Sequence, residues 1–347
     1  MKHLLHAALL LIITCACQSK PALHIYTWSQ YLDPEVIAAF EAREHCRVVV
    51  DTFSSNEELF AKIKNMKGSQ AYDILTPSDY MTGIMIADGL LEELPSGHKG
   101  LDAWDNLDSS FLDLDFDRGN RYSMPYLVGM TGMAWDEERT KLNADDLSWK
   151  IFLDPRFKNQ TGILNDMRES FAVAAKLAGR RANETDPQAL EAAAQTIKLL
   201  KENSRTIISD GFEQLLASGE IAIAHAYNNS LLSLKRQRSS LRFAIPKEGG
   251  VIWLDNMAIV KGAPKKELAL RFLNHCLDPQ IAAKNSLFAY SATPNKNALR
   301  YLPEEFSKDP ALYPPREAIG NKLEWLKNPG MTVNAAYARL WNDVLSD

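Results

Sequence analysis

Short β-type apolar runs alternate with amphipathic helical stretches through most of the chain, and this alternation restricts the possible fold more than any other feature. The first run, His24-Ile25-Tyr26-Thr27-Trp28, leads to a helix with Asp33 as cap and Pro34 in its first turn. Val36, Ile37 and Phe40 line one face of that helix. Residues 47–53 follow as a strand with Val48-Val49-Val50 as its buried part, and Ser55-Asn56-Glu57-Glu58 opens the next helix. Residues 72–76 form a third strand that runs into Pro77-Ser78-Asp79-Tyr80. This spacing predicts an α/β fold with a largely parallel sheet, because parallel neighbours need a crossover connection. Ligands of such sheets bind at the carboxyl ends of strands, where Trp28-Ser29-Gln30-Tyr31 and Ser78-Asp79-Tyr80 fall.

A second alternating set follows: a strand at 162–165, helices at 169–177, 187–201 and 212–217, and a strand at 221–227. The helix from Pro187 carries Leu190, Ala193, Ile197 and Leu200 at core spacing. The chain closes in helical pieces near 315–325 and 334–345. A length of 347 residues is too great for one ordinary core and suits two lobes. They are expected to join near 126–132 and 255–258, giving 18–128 plus 256–300 as one lobe and 129–255 plus 301–347 as the other.

Residues 249–260 place one indole and one carboxylate inside an otherwise apolar strand. Period-two alternation puts Trp253 and Asp255 on one face, with Ile252 and Leu254 on the other. A buried carboxylate needs a partner, since an unpaired ionised one costs several kcal/mol out of water. That partner is either a cation or backbone amides at the strand end, in which case Trp253 is simply core.

Asp166 and Glu169 stand three apart where a strand leads into a helix, so both can face one cleft. They read as an acid–base pair, as an amine clamp, or as the acidic first turn of a helix, and spacing alone favours the last. Hydrolytic motifs are absent: the seven histidines are scattered, and there is no His-x-x-x-His, paired-Cys site or Gly-x-Ser-x-Gly elbow. Walker and dinucleotide loops are also missing, so no cofactor and no metal site is expected. His225 alternates with alanines and reads as core. A net charge of -5 from interspersed residues, with no basic block, argues against nucleic acid as a partner.

The first 17 residues differ from the rest. Lys2 and His3 precede the apolar run 4–14, which is too short to span a bilayer permanently, and Cys15-Ala16-Cys17 follows. This pattern predicts export with cleavage before Cys17, which would then be lipidated and tether the mature chain outside the cytoplasm. Cys15 is the weaker candidate, and Thr14 stands where lipoprotein signals usually have leucine. The remaining cysteines, Cys46 and Cys276, have no metal-ligand spacing and read as buried thiols, although an exported location permits a disulfide.

Aromatics and acids gather at strand ends: Trp28, Tyr31, Tyr80, Asp166, Glu169, Tyr227, Trp253, Asp255 and Tyr290. Aromatic faces cover methylenes and attract ammonium groups while carboxylates accept N–H donors, so together the set suits a flexible organic cation. Trp28-Ser29-Gln30-Tyr31, Ser55-Asn56-Glu57, residues 72–78, Met124-Pro125-Tyr126, Lys247-Glu248-Gly249-Gly250 with Trp253 and Asp255, and Thr293-Pro294-Asn295 resemble the bacterial spermidine/putrescine-binding proteins of polyamine ABC uptake systems. The resemblance runs in order over nearly the whole mature chain. It implies a periplasmic-binding-protein fold of two α/β lobes with the ligand cleft between them, and a membrane permease and ATPase as partners. It also implies that Trp28, Tyr31, Tyr80, Trp253 and Tyr290 box the polyamine, with polar contacts from Ser29 and Ser78. Asp166 and Glu169 would hold one amine and Asp255 another.

Three departures bear on the choice between putrescine and spermidine. Tyr227 stands where the spermidine receptor has tryptophan, Ser29 where it has threonine, and Leu326 where it has glutamine beside Trp325. Leu326 cannot accept a hydrogen bond from an ammonium group, which leans the expectation towards putrescine being bound at least as well as spermidine.

Overall fold

A computed structural model describes residues 20–66, 72–209, 211–229 and 238–346. The expected signal segment and Cys17 lie outside the described residues.

Strand β1 (Ala22–Trp28) pairs in parallel with β2 (Arg47–Phe53) and with the two-residue β3 (Ile74–Leu75). Helix α1 (Pro34–Glu44) starts as its sequence predicts, Asp33 accepting from the Glu35 amide with Pro34 behind it. Helix α2 (Asn56–Asn65) begins at Ser55, which accepts from the Glu58 amide at 3.1 Å, while the Glu58 carboxylate turns back to Ser54. Helix α3 (Asp79–Ala87) follows directly from β3 and Ser78.

Two long strands then organise the molecule. In β4 (Ser123–Asp136) and β9 (Gly250–Ile259) every residue is buried. They run antiparallel from Ser123 opposite Ala258 to Thr131 opposite Val251, with a register shift between Pro125 and Leu127. The Ile259 end of β9 borders β3, and its Gly250 end takes β10 (Leu323–Trp325) in parallel. Beyond Thr131, β4 borders β7 (Ile223–Tyr227) and β8 (Leu241–Ala244). Strand β5 (Thr161–Leu164) joins β7 to β6 (Thr206–Ile208), giving the order β2-β1-β3-β9-β4-β7-β5-β6. The sheet is therefore mixed: strands linked by helices pair in parallel, and every contact of β4 is antiparallel. β4 and β9 pass through both halves of it.

Each half has its own core. Phe40 of α1 meets Phe272 of α8 (Lys266–Cys276) over the β1 side. On the β5 side, α5 (Met167–Leu177), α6 (Pro187–Asn203) and α11 (Met331–Ser346) pack through Phe171, Leu190, Ile197, Tyr337 and Trp341. The predicted stripe of α6 is buried, so removing Ile197 would cost about 2–5 kcal/mol. The remaining helices are α4 (Glu137–Thr140), α7 (Phe212–Ser218), α9 (Pro279–Ala289) and α10 (Glu304–Ser307).

One expectation is corrected. Residues 315–325 form a 3-10 turn at Arg316–Ala318 and then β10, in place of the expected helical piece. Leu302, Phe306 and Leu312 pack on Ala282 and Ala283 of α9. Cys46 and Cys276 share the first core as free thiols.

Candidate functional site

The carboxyl ends of β1, β3, β5 and β7 meet the middle of β9 around a cavity of about 280 Å³. Trp28 ends β1, and Gln30 takes a left-handed turn at φ 56° that brings Tyr31 back over the sheet. Ser78 forms an isolated antiparallel bridge with Asp255, which fixes the start of α3 against β9.

Asp255 is 2% exposed and accepts two hydroxyl hydrogen bonds. Tyr31 Oη donates to its Oδ2 at 2.5 Å and Ser78 Oγ to its Oδ1 at 2.6 Å. Asn56 steadies Ser78 by donating to its hydroxyl at 3.1 Å and accepting from its amide at 3.2 Å. Tyr126 Oη donates to the Tyr31 carbonyl oxygen at 2.6 Å. Burial pushes the Asp255 carboxyl up to about 6, against the pull of its two hydroxyl donors. Side chains, and not the backbone amides considered above, thus hold this carboxylate in place.

The opposite wall comes from the start of α5. Asp166 caps that helix, accepting from the Glu169 amide at 3.0 Å, and also accepts from Tyr227 Oη at 3.2 Å. The helix-start reading of this motif is therefore correct, and both carboxylates line the cavity as well. Glu169 Oε1 accepts from Thr131 at 2.9 Å, while its Oε2 has no hydrogen-bond partner among the described residues. Asp79, in the first turn of α3, spends one oxygen on the Tyr80 amide and leaves Oδ2 equally unpartnered. Burial pushes Asp79 and Glu169 well above the usual carboxylate range, and each is pushed further by a neighbouring acid. Glu57 accepts from Tyr80 Oη at 3.2 Å and is raised to about 7, by burial and then by Asp166.

Aromatic rings complete the walls. Trp28 packs on Phe53 at 4.4 Å between centroids and stands 6.4 Å from Tyr31. Trp253 meets the edge of Tyr227 at 6.1 Å and lies across Gly129, its cross-strand partner. A Cβ at position 129 would sit 2.1 Å from the indole, so only glycine leaves room for it.

All eleven residues expected at the site line this one cavity: Trp28, Ser29, Tyr31, Ser78, Tyr80, Asp166, Glu169, Tyr227, Trp253, Asp255 and Tyr290. Asn56, Asp79, Glu213 and Phe288 line it too and had not been singled out as site residues. Asp79 sits inside a motif already quoted. Glu213 stands in the first turn of α7, where an acid is common and carries no signal. Leu326 also lines the cavity and packs in the cluster that contains Tyr80. His225 is core as expected, edge-on to Trp149 at 5.1 Å, with burial lowering its imidazole to about 3.

Two halves of an α/β sheet, joined by two shared strands around an acidic, aromatic cleft, are the architecture of a solute receptor. The family of bacterial extracellular solute-binding proteins matches residues 35–314, and the chain belongs to it. It is 31% identical over 312 residues to spermidine/putrescine-binding periplasmic protein 1 of Haemophilus influenzae, spanning 90% of this chain and 86% of that one. The putrescine/cadaverine-binding protein of Pseudomonas aeruginosa is 30% identical over 99% of both chains. Among solved structures, the spermidine/putrescine ABC transporter substrate-binding protein PotD of Streptococcus pneumoniae superposes with a TM-score of 0.78 at 29% identity. That match covers 94% of this chain and 99% of that one. The fold is thus the two-lobe periplasmic-binding-protein fold.

Proposed function

We propose that this protein captures a polyamine, putrescine or spermidine, in the cleft and delivers it unchanged to the permease and ATPase of an ABC importer. One observation carries the reading. Five acids line the cavity (Asp79, Asp166, Glu169, Glu213 and Asp255), and among the described residues no lysine, arginine or histidine does. Burying carboxylates without a cation is costly, so such a cavity is complementary to an organic cation that brings its own hydrogen-bond donors. The names of the relatives above agree with that chemistry.

In this reading Asp255 accepts one ammonium group and Asp166 with Glu169 another. Trp28, Tyr31, Tyr80, Tyr227, Trp253 and Tyr290 enclose the methylenes, and Ser29 and Ser78 add polar contacts. Two charge-assisted hydrogen bonds at about 2 kcal/mol each, two cation–π contacts at about 1 each and four methylenes at about 0.8 each supply roughly 9 kcal/mol gross. Association costs reduce this to a dissociation constant on the order of micromolar.

The lobes in this reading are the β1 half, with the 301–313 segment, and the β5 half, with β10 and α11. They turn about β4 and β9 near the register shift at Pro125–Leu127. No helix among the described residues is long and apolar enough to cross a membrane. An extracytoplasmic location follows from the family, and we assign the tether to a lipid on Cys17. A related structure is the lipoprotein of Treponema pallidum, 25% identical with a TM-score of 0.82 over 93% of this chain and 99% of that one.

The test is isothermal titration of the ligand-stripped protein with putrescine, spermidine and a neutral sugar. One-to-one binding of the amines without response to the sugar is expected. Silence towards both amines removes the assignment, and chemical turnover of either would make the protein an enzyme.

A further inference from the structure

Arg168 is 1% exposed and stands in sequence between the two cleft acids Asp166 and Glu169. Among the described residues its guanidinium donates to no carboxylate. Both Nη atoms donate to the Lys327 carbonyl oxygen at 3.1 Å, and Nη2 reaches Asn183 Oδ1 at 3.4 Å. The planar cation lies 4.7 Å from the centroid of the Tyr337 ring and 5.2 Å from that of Tyr80.

These partners divide between the lobes. Lys327, Asn183 and Tyr337 belong to the β5 half, and they clamp the guanidinium to its own lobe. Tyr80 comes across from α3, in the β1 half. Its hydroxyl donates to Glu57 of α2, in the same half. Its ring belongs to a cluster that crosses the gap, with Leu59 and Met81 from one side and Ala172, Ala182 and Leu326 from the other.

A buried guanidinium bonded only to neutral oxygens keeps its full charge, and a ring face is a partner that does not cancel it. An ion pair with Asp166 or Glu169 would instead neutralise acids that face the cavity. Holding Arg168 on a carbonyl and two rings leaves those acids available and leaves the cation able to attract Tyr80.

We propose that Arg168 is a positioning residue, a cation–π latch on Tyr80 of the opposite lobe that favours the closed cleft with or without ligand and so sets how long a captured ligand stays. This rests on the receptor reading above and adds to it the contact that holds the closed state.

The experiment measures putrescine association and dissociation rates, together with small-angle scattering of the purified protein with and without putrescine. Arg168→Gln, shown folded by circular dichroism, is expected to raise the dissociation rate about tenfold, the weight of one desolvated cation–π contact, with the association rate within about twofold. Its radius of gyration should exceed that of the parent, and Arg168→Lys should restore part of both effects because an ammonium group still sits over a ring. In the ligand-free protein Tyr80→Phe, which keeps the ring face, should stay as compact as the parent, whereas Tyr80→Leu should expand. Parental rates and compactness in Arg168→Gln overturn the latch, as does equal compactness of the two Tyr80 variants. The Tyr80 pair decides alone if Arg168→Gln does not fold. A parent that binds no polyamine sinks the receptor reading, and the ligand-free scattering still decides the latch.

Discussion

In the function proposed above, Asp255 is the residue on which affinity turns. Two neutral hydroxyls hold it, so its charge is uncompensated by any cation among its hydrogen-bond partners. Asp255→Asn keeps the shape and one acceptor but removes the charge. Diamine affinity is expected to fall at least about tenfold by calorimetry with the far-ultraviolet spectrum unchanged, and an unaltered constant would detach Asp255 from the ligand. Protonation does reversibly what the substitution does permanently. An ammonium group needs the carboxylate form, and Asp255 titrates at about 6 when the cleft is empty. Affinity should be roughly tenfold weaker at pH 5 than at pH 7, with proton uptake or release visible when titrations are repeated in buffers of different ionisation heat. A flat profile down to pH 5 contradicts this. Leu326 tests selectivity in the other direction: Leu326→Gln supplies an acceptor in the cavity wall and should raise the spermidine-to-putrescine affinity ratio, read from paired titrations.

At the scale of elements, Gly129 and Trp253 are a cross-strand pair that functions as one unit. Gly129→Ala would drive the indole out of its place, because its Cβ is fixed by the backbone and would lie 2.1 Å from the ring. Amine affinity is expected to drop about tenfold or more while the thermal midpoint moves by only a few degrees; parental affinity would show that the indole does not wall the ligand. The same elements show what a sequence can and cannot disclose. Period-two alternation was enough to put Trp253 and Asp255 on one face, and a strand–helix count was enough for the α/β fold, because both are local patterns. Strand β10 was not legible: Leu323-Glu324-Trp325 is three residues long, and it is a strand only because β9 offers a free edge and Lys176 meets the buried Glu324 at 2.8 Å. Asp79 and Glu213 escaped for a related reason. An acid in the first turn of a helix looks the same whether it caps the helix or faces a cavity.

For the molecule as a whole, the empty cleft carries a cost that depends on pH. Acids whose native carboxyl groups titrate above their unfolded values stabilise the fold in their protonated form. Their contribution is fully present below about pH 4 and is lost as pH rises through about 6 for Asp255 and about 7 for Glu57. Asp255 alone accounts for up to about 3 kcal/mol of this change. Surface acids act oppositely: Glu92, bonded to Lys266 and Lys261, is lowered to about 2, so what it contributes disappears only in strong acid. The ligand-free protein should therefore melt highest near about pH 5 and lose stability towards pH 7.5, and saturating putrescine should move that maximum upward. Calorimetric scans across pH, with and without the amine, check this. A ligand-free maximum already at neutral pH would mean that the cleft acids are not strained.

The register shift in β4 lies between Pro125 and Leu127, and the residue inside it, Tyr126, holds the carbonyl of Tyr31, whose hydroxyl in turn holds Asp255. With the pivot and ligand seat proposed above, the bearing of this machine is bolted to the seat of its load. Anything that displaced Asp255 by a fraction of an ångström would then be felt first at that pivot and magnified along each lobe to the rim. A cargo of slightly wrong length would accordingly betray itself as a misaligned outer surface, so that the transporter could reject a loaded but ill-fitting carrier without ever touching what it carries.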